Sequence, residues 1–147
     1  MNAIKTKAIQ YLARREHSVK ELETKLKQHF ADPDSITPVL IALQEENYLS
    51  NARFLESRIR HRLSQGYGRL RIAQELMQIH GLKQDAIQSA FAAIPDTASE
   101  LDLLSQLIQK KFLPLDLKNQ AEVARITRKL LQRGFSYDLI KAALHNL

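Results

Sequence analysis

The chain contains no cysteine and no tryptophan, and only 4 glycines and 4 prolines among 147 residues. Missing thiols exclude disulfides, thiol catalysis and thiolate metal sites outright. No apolar run approaches the ~18 residues that cross a membrane, and residues 1–7 are not followed by the apolar stretch of a signal peptide. A reducing cytoplasm is therefore the expected compartment. Few helix breakers among many Leu, Ala, Ile, Gln, Lys and Arg predict an all-α protein. With 44% apolar and 26% charged residues, the composition is that of a folded chain and not of a disordered tail.

Catalytic equipment is equally thin. The five histidines (His17, His29, His61, His80 and His145) are scattered, with no H-E-x-x-H and no i,i+4 pair to ligate a metal. Gly66-Tyr67-Gly68 is no phosphate loop, because no strand precedes it and no G-K-[ST] follows. Glu45 and Glu46 are adjacent, so on a helix they point apart and cannot form a facing acid/base pair. No G-x-S-x-G is present. A non-enzyme without cofactor or metal is expected.

What is present is helical periodicity throughout. Ile4, Ala8, Ile9, Leu12 and Ala13 form one stripe, which should end near His17, because Ser18 and Glu21 read as the capping box of a second helix. Val19, Leu22, Leu26 and Phe30 continue that second helix. Residues 32–35 read as loop and cap, with Pro38 in the first turn of a third helix carrying Val39, Leu40 and Leu43. Ser50 or Asn51 caps a fourth helix with Phe54, Leu55, Ile59 and Leu63, ended by Gly66. A fifth holds Leu70, Ile72, Ala73, Leu76, Met77 and Ile79, ended by Gly81. A sixth runs from Ala86 to a stop at Pro95, and Thr97 or Ser99 caps a seventh through Leu101, Leu104, Leu107, Ile108 and Phe112. After a 113–118 connector, Val123, Ile126, Leu130 and Leu131 mark an eighth helix, ended by Gly134. Ser136 caps a ninth through Leu139, Ile140, Ala143 and Leu144.

The nine stripes repeat in threes. Ile4, Phe54 and Leu103 correspond, as do Leu22, Ile72 and Ile126, then Leu26, Leu76 and Leu130, and Leu40, Ile87 and Ile140. The expected organisation is three tandem three-helix repeats over 1–49, 50–96 and 97–147. Each is too small for an ample core alone, so they should stack into an elongated, curved array.

The 22 basic and 16 acidic residues give a net charge of +6, and the first 49 residues are neutral. The excess belongs to the second and third repeats. Segment 53–71 is its densest part: Arg53, Arg58, Arg60, Arg62, Arg69 and Arg71 against the single acid Glu56, with no lysine. Arginine supplies a planar fork for carboxylate and phosphate, which lysine does not. On a helical wheel Arg53 and Arg60 share the face opposite Ile59 and Leu63, with no local acid except Glu56 for them or for Arg62. Arg58 stands where the other repeats carry Ala8 and Leu107. It is expected either to bind a partner or to pass the core edge and pair with Glu45 or Glu46. Arg71 has Glu75 four residues on, a pair worth only ~0.3 kcal/mol. Tyr67, between two glycines, is either an exposed anchor or a ring folded back on the core. Arg125, Arg128 and Arg133 would continue a basic face.

Several of these stretches carry a resemblance. Tyr48-Leu49-Ser50-Asn51-Ala52-Arg53-Phe54, then Arg62, Gly66-Tyr67-Gly68, Arg71-Ile72 and Glu75-Leu76, resemble the central motif of the RecX regulatory proteins. Residues 11–18 with Glu21-Leu22, and Lys129-Leu130-Leu131-Gln132-Arg133-Gly134-Phe135 with Ile140, resemble that family's first and last repeats. Two departures make the middle segment more basic: Ser50 and Asn51 stand where the family often has acids, and Arg58 where it often has an apolar residue. The resemblance implies a non-enzymatic, monomeric modulator that lodges in the groove of the RecA–single-strand DNA filament. Such a protein limits filament extension, ATPase, strand exchange and coprotease activity in recombination and the SOS response, touching single-strand DNA weakly or through the filament. The expected contacts are Arg53, Arg58, Arg60, Arg62, Tyr67, Arg69, Arg71, Arg125, Arg128 and Arg133. A direct nucleic-acid-binding module is the alternative, against which 6% aromatics offer little base stacking; a scaffold whose charge serves only solubility is the third reading.

Overall fold

The computed structural model describes residues 2–94 and 99–147. Among them lie nine helices and no strand: α1 (Ala3–Arg14), α2 (Val19–Lys27), α3 (Pro33–Glu45), α4 (Asn51–Ser64), α5 (Arg69–Gln78), α6 (Gln84–Ala93), α7 (Glu100–Lys111), α8 (Gln120–Gln132) and α9 (Tyr137–His145). Most begin on a short polar side chain that accepts from an otherwise orphaned N–H. Asn2, Ser18, Asp32, Ser50, Ser99, Asn119 and Ser136 all do so.

Boundaries depart from the sequence reading at a few points. α1 stops at Arg14, short of His17, and Glu21 does not complete a capping box because its carboxylate is held by Arg15 at 2.7 Å. α3 starts earlier than expected: Asp32 caps it and Pro33 occupies the first turn, which leaves Pro38 inside the helix. Ser50 caps α4 and Ser99 caps α7; Pro95 and Thr97 lie outside the described residues.

The nine helices pack as three tandem three-helix repeats, each around its own core. Leu22, Leu26, Leu40 and Leu43 centre the first, Phe54, Ile59, Ile72 and Ile87 the second, and Leu104, Ile126, Leu130 and Ile140 the third. Each such buried side chain contributes roughly 1.5–3 kcal/mol. The cores are separate, but Leu103 of α7 packs against the second one and joins repeats 2 and 3. The molecule exposes 9188 Å², where a compact protein of its mass would expose about 7,700 Å². Stacking small units end to end produces that excess.

Two seams and an arginine cluster: the candidate functional site

The same junction occurs twice. The first loop of one repeat docks on the second loop of the next: residues 15–18 on 79–81, and 65–68 on 133–135. By the repeat correspondence Ser18 matches Gly68, each four residues before a core position (Leu22, Ile72), and His80 matches Gly134, each four after one (Leu76, Leu130). The first pair meets through side chains and the second through backbone.

At the seam of repeats 1 and 2, Ser18 Oγ lies 2.9 Å from His80 Nδ1 while also accepting from the Glu21 N–H. The His80 ring packs on Phe54 at 4.6 Å, and Val19 N–H donates to Asn51 Oδ1 at 2.9 Å. Arg53 closes the seam: its Nε donates to Glu16 Oε1 at 2.9 Å and its Nη2 to the Asn47 carbonyl at 2.8 Å. His17, buried in the same place, contacts the Arg15 carbonyl through Nδ1 (3.1 Å) and Lys25 Nζ through Nε2 (2.8 Å). Its tautomer follows: Nδ1 carries the proton and Nε2 accepts from the ammonium.

Burial pushes both imidazoles below their ordinary value of 6.5. Around His80, Arg58, Arg15 and Lys20 add to the effect and Glu21 opposes it; around His17, Arg15 and Lys25 add, while the Arg15 carbonyl and Glu21 oppose. A histidine depressed in the fold leaves the unfolded chain binding more protons as pH falls. Stability should therefore drop below pH 6.5, by up to about 1.4 kcal/mol per pH unit for each ring. Urea midpoints at about pH 7.5 and about pH 5.5 measure it. His80→Gln should remove one of the two contributions, and a flat profile across this range contradicts the seam as described.

At the seam of repeats 2 and 3, Gly68 starts α5 without a side-chain cap. Repeat 3 supplies the missing acceptors. Gly68 N–H donates to the Arg133 carbonyl (2.8 Å) and Leu70 N–H to the Gly134 carbonyl (3.1 Å), while Glu100 accepts from the Arg69 backbone. The carbonyl end of α8 thus meets the amide end of α5, an alignment the helix dipoles favour. The approach is possible only without side chains: a Cβ on Gly68 would stand 2.4 Å from the Gly134 oxygen.

Around this contact four of the expected residues converge. Arg62 grips Glu75 with both arms, Nε at 3.0 Å and Nη2 at 2.6 Å, and its Nη1 donates to Gln65 at 2.7 Å. Arg71 reaches Glu75 at 3.3 Å and the Gln132 carbonyl at 3.2 Å; Arg133 reaches the Gly66 carbonyl at 3.1 Å. All three guanidiniums cover the Tyr67 ring, at 3.8, 4.6 and 5.4 Å from its centroid for Arg62, Arg71 and Arg133. Burial would raise the Glu75 carboxyl, but Arg62 and then Arg71 outweigh it and hold the group below its ordinary value. The Glu75 hydrogen bond holds Arg62 above its own. Beside them Arg69 pairs with Glu100 at 3.1 Å and lies over Phe91. Burial still pushes Glu100 up, against the Arg69 backbone bond and charge.

Several sequence expectations change accordingly. Arg53 and Arg62 do have acids, Glu16 and Glu75, and these lie 37 and 13 residues away. Arg53 and Arg60 do not form a free face: Arg53 is held by Glu16, and Arg60 pairs with Glu56 at 3.2 Å. Arg58 does not pair with Glu45 or Glu46; Lys5 takes Glu46 at 2.9 Å, and Arg58, half-buried near His80, has no ion pair among the described residues. Tyr67 is no projecting anchor: its half-buried ring packs on the second core under the three guanidiniums. Arg125 and Arg128 stay exposed on α8, with no acid paired to them among the described residues. Glu16, Glu100 and His80 were not anticipated as members of the site; Glu75 was expected only as the partner of Arg71, which it is, and Ser18 only as a helix cap, which it also is. Only the matched offsets of Ser18 with Gly68 and of His80 with Gly134 hinted at it.

Known proteins agree with this architecture at every repeat. Residues 5–41, 50–90 and 98–144 match the first, second and third RecX three-helix domains. The chain is 39% identical to the regulatory protein RecX of Leptothrix cholodnii, over 97% of this chain and 87% of that one. It is 41% identical to the regulatory protein RecX of Pseudomonas entomophila, over 94% and 87%. The crystal structure of RecX from Lactobacillus salivarius superposes with a TM-score of 0.77 over 98% of this chain and 94% of that one, at 22% identity, which speaks for the fold alone. The chain belongs to the RecX family of regulatory proteins.

Proposed function

We propose that the chain regulates RecA by seating on the RecA–single-strand DNA filament, restraining its extension and with it ATPase, strand-exchange and coprotease activities. It does so as a cytoplasmic monomer, without cofactor or chemistry of its own. Membership of a regulatory family across all three repeats carries this reading. The two seams support it physically. A body whose repeats are fastened by backbone bonds and ion pairs keeps its shape when it spans neighbouring protomers, whereas loosely strung bundles would not.

The arginines divide by role in this reading. Arg53, Arg69, Arg71 and Arg133 reach across the two seams, Arg62 ties α4 to α5 inside repeat 2 beside Tyr67, and Arg60 is held by Glu56. Arg58, Arg125 and Arg128 are left to meet a partner's carboxylates or phosphates. The exposed pair on α8, without an acid partner among the described residues, also favours the second reading, direct binding of single strands.

RecA ATPase on single-strand DNA, with the protein titrated in, tests the first reading: the rate should fall toward a low plateau, and an unchanged rate overturns it. Charge reversal at Arg125 and Arg128 should weaken that inhibition about tenfold while leaving the unfolding midpoint within about 0.5 kcal/mol of the parent. If naked strands bind as tightly as RecA-coated ones, with log K falling ~0.7 per neutralised phosphate as log salt rises, the direct reading replaces the first.

A further inference from the structure

Over the seam of repeats 2 and 3 runs a groove of about 430 Å³ between α5 and the end of α8. Its apolar residues are unusually bare: Leu70 is 62% exposed, Ile79 62% and Leu131 44%. Gln74, Gln78 and Gln132 line it beside them. Scattered exposed leucines need no explanation, but here the repeats provide an internal comparison. The residue matching Leu70 is Lys20 in repeat 1 and Ala124 in repeat 3; the residue matching Ile79 is His29 and Arg133. The position matching Leu131 is Met77 in repeat 2 and Lys27 in repeat 1. Packing three helices therefore does not require large aliphatic side chains at the first two positions. Only the middle repeat has them, and its groove pairs them with Leu131.

Charge selects the occupant. Arg71 and Glu75 lie in the groove wall, Arg62 shares the same carboxylate, Arg133 is adjacent, and the exposed Arg128 sits three residues before Leu131 on the same face of α8. Four guanidiniums against one carboxylate attract acid. Aliphatic floor and glutamine amides suit the side chains and backbone of a polypeptide. Base stacking has nothing to use, since no aromatic residue lines the groove. The floor is also preformed, because the backbone bonds from Gly68 to Arg133 and from Leu70 to Gly134 fix its two walls.

We infer that this groove docks an acidic, aliphatic-bearing segment of the partner protein. The inference deepens the filament reading and rests on it for the identity of that partner. Its test has two arms. The first watches the methyl signals of Leu70, Ile79 and Leu131 by NMR while a short amphipathic peptide of leucine and glutamate is added, and then its leucine–lysine counterpart. The acidic peptide should shift all three and the basic one should not; no shift, or equal shifts with both, overturns the inference. The second compares the parent with a Leu70→Glu, Ile79→Glu variant on RecA-coated and on naked single strands. Both sites are exposed, so circular dichroism and the unfolding midpoint should stay as in the parent. Binding to coated strands should weaken about tenfold or more with binding to naked strands unchanged. Retained binding to coated strands, or an equal loss on naked ones, overturns it. If the parent ignores RecA-coated strands altogether, the filament reading fails, while the peptide shifts still decide the groove.

Discussion

Gly134→Val is expected to cost about 3 kcal/mol or more and to loosen repeat 3 from repeat 2. Two separate penalties add at this position. Its φ is +97°, in the left-handed region where a β-branched side chain is strained by ~1–2 kcal/mol. A Cβ there would also stand 2.4 Å from the Arg71 Cβ and 2.5 Å from the Arg71 nitrogen. Neither atom can swing away, because both belong to the first turn of α5, and overpacking a rigid contact costs a further ~1–3 kcal/mol. Relief requires the seam to part, which frees the Gly68 and Leu70 amides and removes the carbonyls that end α5 on its partner. Urea unfolding measures the loss, and a reduced m-value would report that repeat 3 unfolds on its own. Gly81→Ala is the control. Gly81 has a φ of +62°, but a Cβ there meets only the Lys20 side chain at 3.5 Å, which can move. It should cost only the ~1–2 kcal/mol of backbone strain. Equal losses at the two glycines would mean that the backbone contact between repeats 2 and 3 holds nothing.

That contrast also marks how far the sequence could be read. Helices, caps and cores follow from patterns within a dozen residues, so Leu22, Ile72 and Ile126 could be aligned and found at the centres of three cores. Boundaries slipped only where two local signals competed, as at Asp32–Pro33 against Pro38. The site was legible in part. Six arginines in segment 53–71 announced a concentration of charge, but the acids that answer Arg53 and Arg62 stand elsewhere, Glu16 in the loop before α2 and Glu75 on α5. Their pairing depends on how loops dock, which no periodicity encodes. The same holds for Ser18 and His80, 62 residues apart, and for Tyr67, whose two readings differ only in what covers the ring. Arginine density measured the number of forks required; it did not say whether they turn inward or outward.

Arg62 decides between those directions, and Arg62→Met is expected to be the most damaging single change in the cluster. Its side chain is only 14% exposed and the Glu75 carboxylate 22%. Removing one partner of a largely buried pair strands the other; full isolation would cost ~3–5 kcal/mol. Here Arg71 remains on Glu75, though at 3.3 Å and 42% exposed, so about 2 kcal/mol is expected from the pair, with up to ~1 kcal/mol more from the lost stacking on Tyr67. Arg62→Met with Glu75→Gln should lose less than the two single losses added together, by ~1 kcal/mol or more, because the stranded charge is then gone. The decisive comparison is with the charge reversals on α8. A phosphate-binding arginine, once removed, lowers the salt slope of single-strand binding by about 0.7, whereas one that fastens helices to each other, as Arg62 fastens α4 to α5, moves stability and leaves the slope alone. Arg62→Met should therefore lower the unfolding midpoint with no change of slope, and reversal of Arg125 and Arg128 should do the opposite. A lowered slope with stability intact for Arg62→Met would turn the cluster outward and reassign Glu75 as the group that nucleic acid displaces.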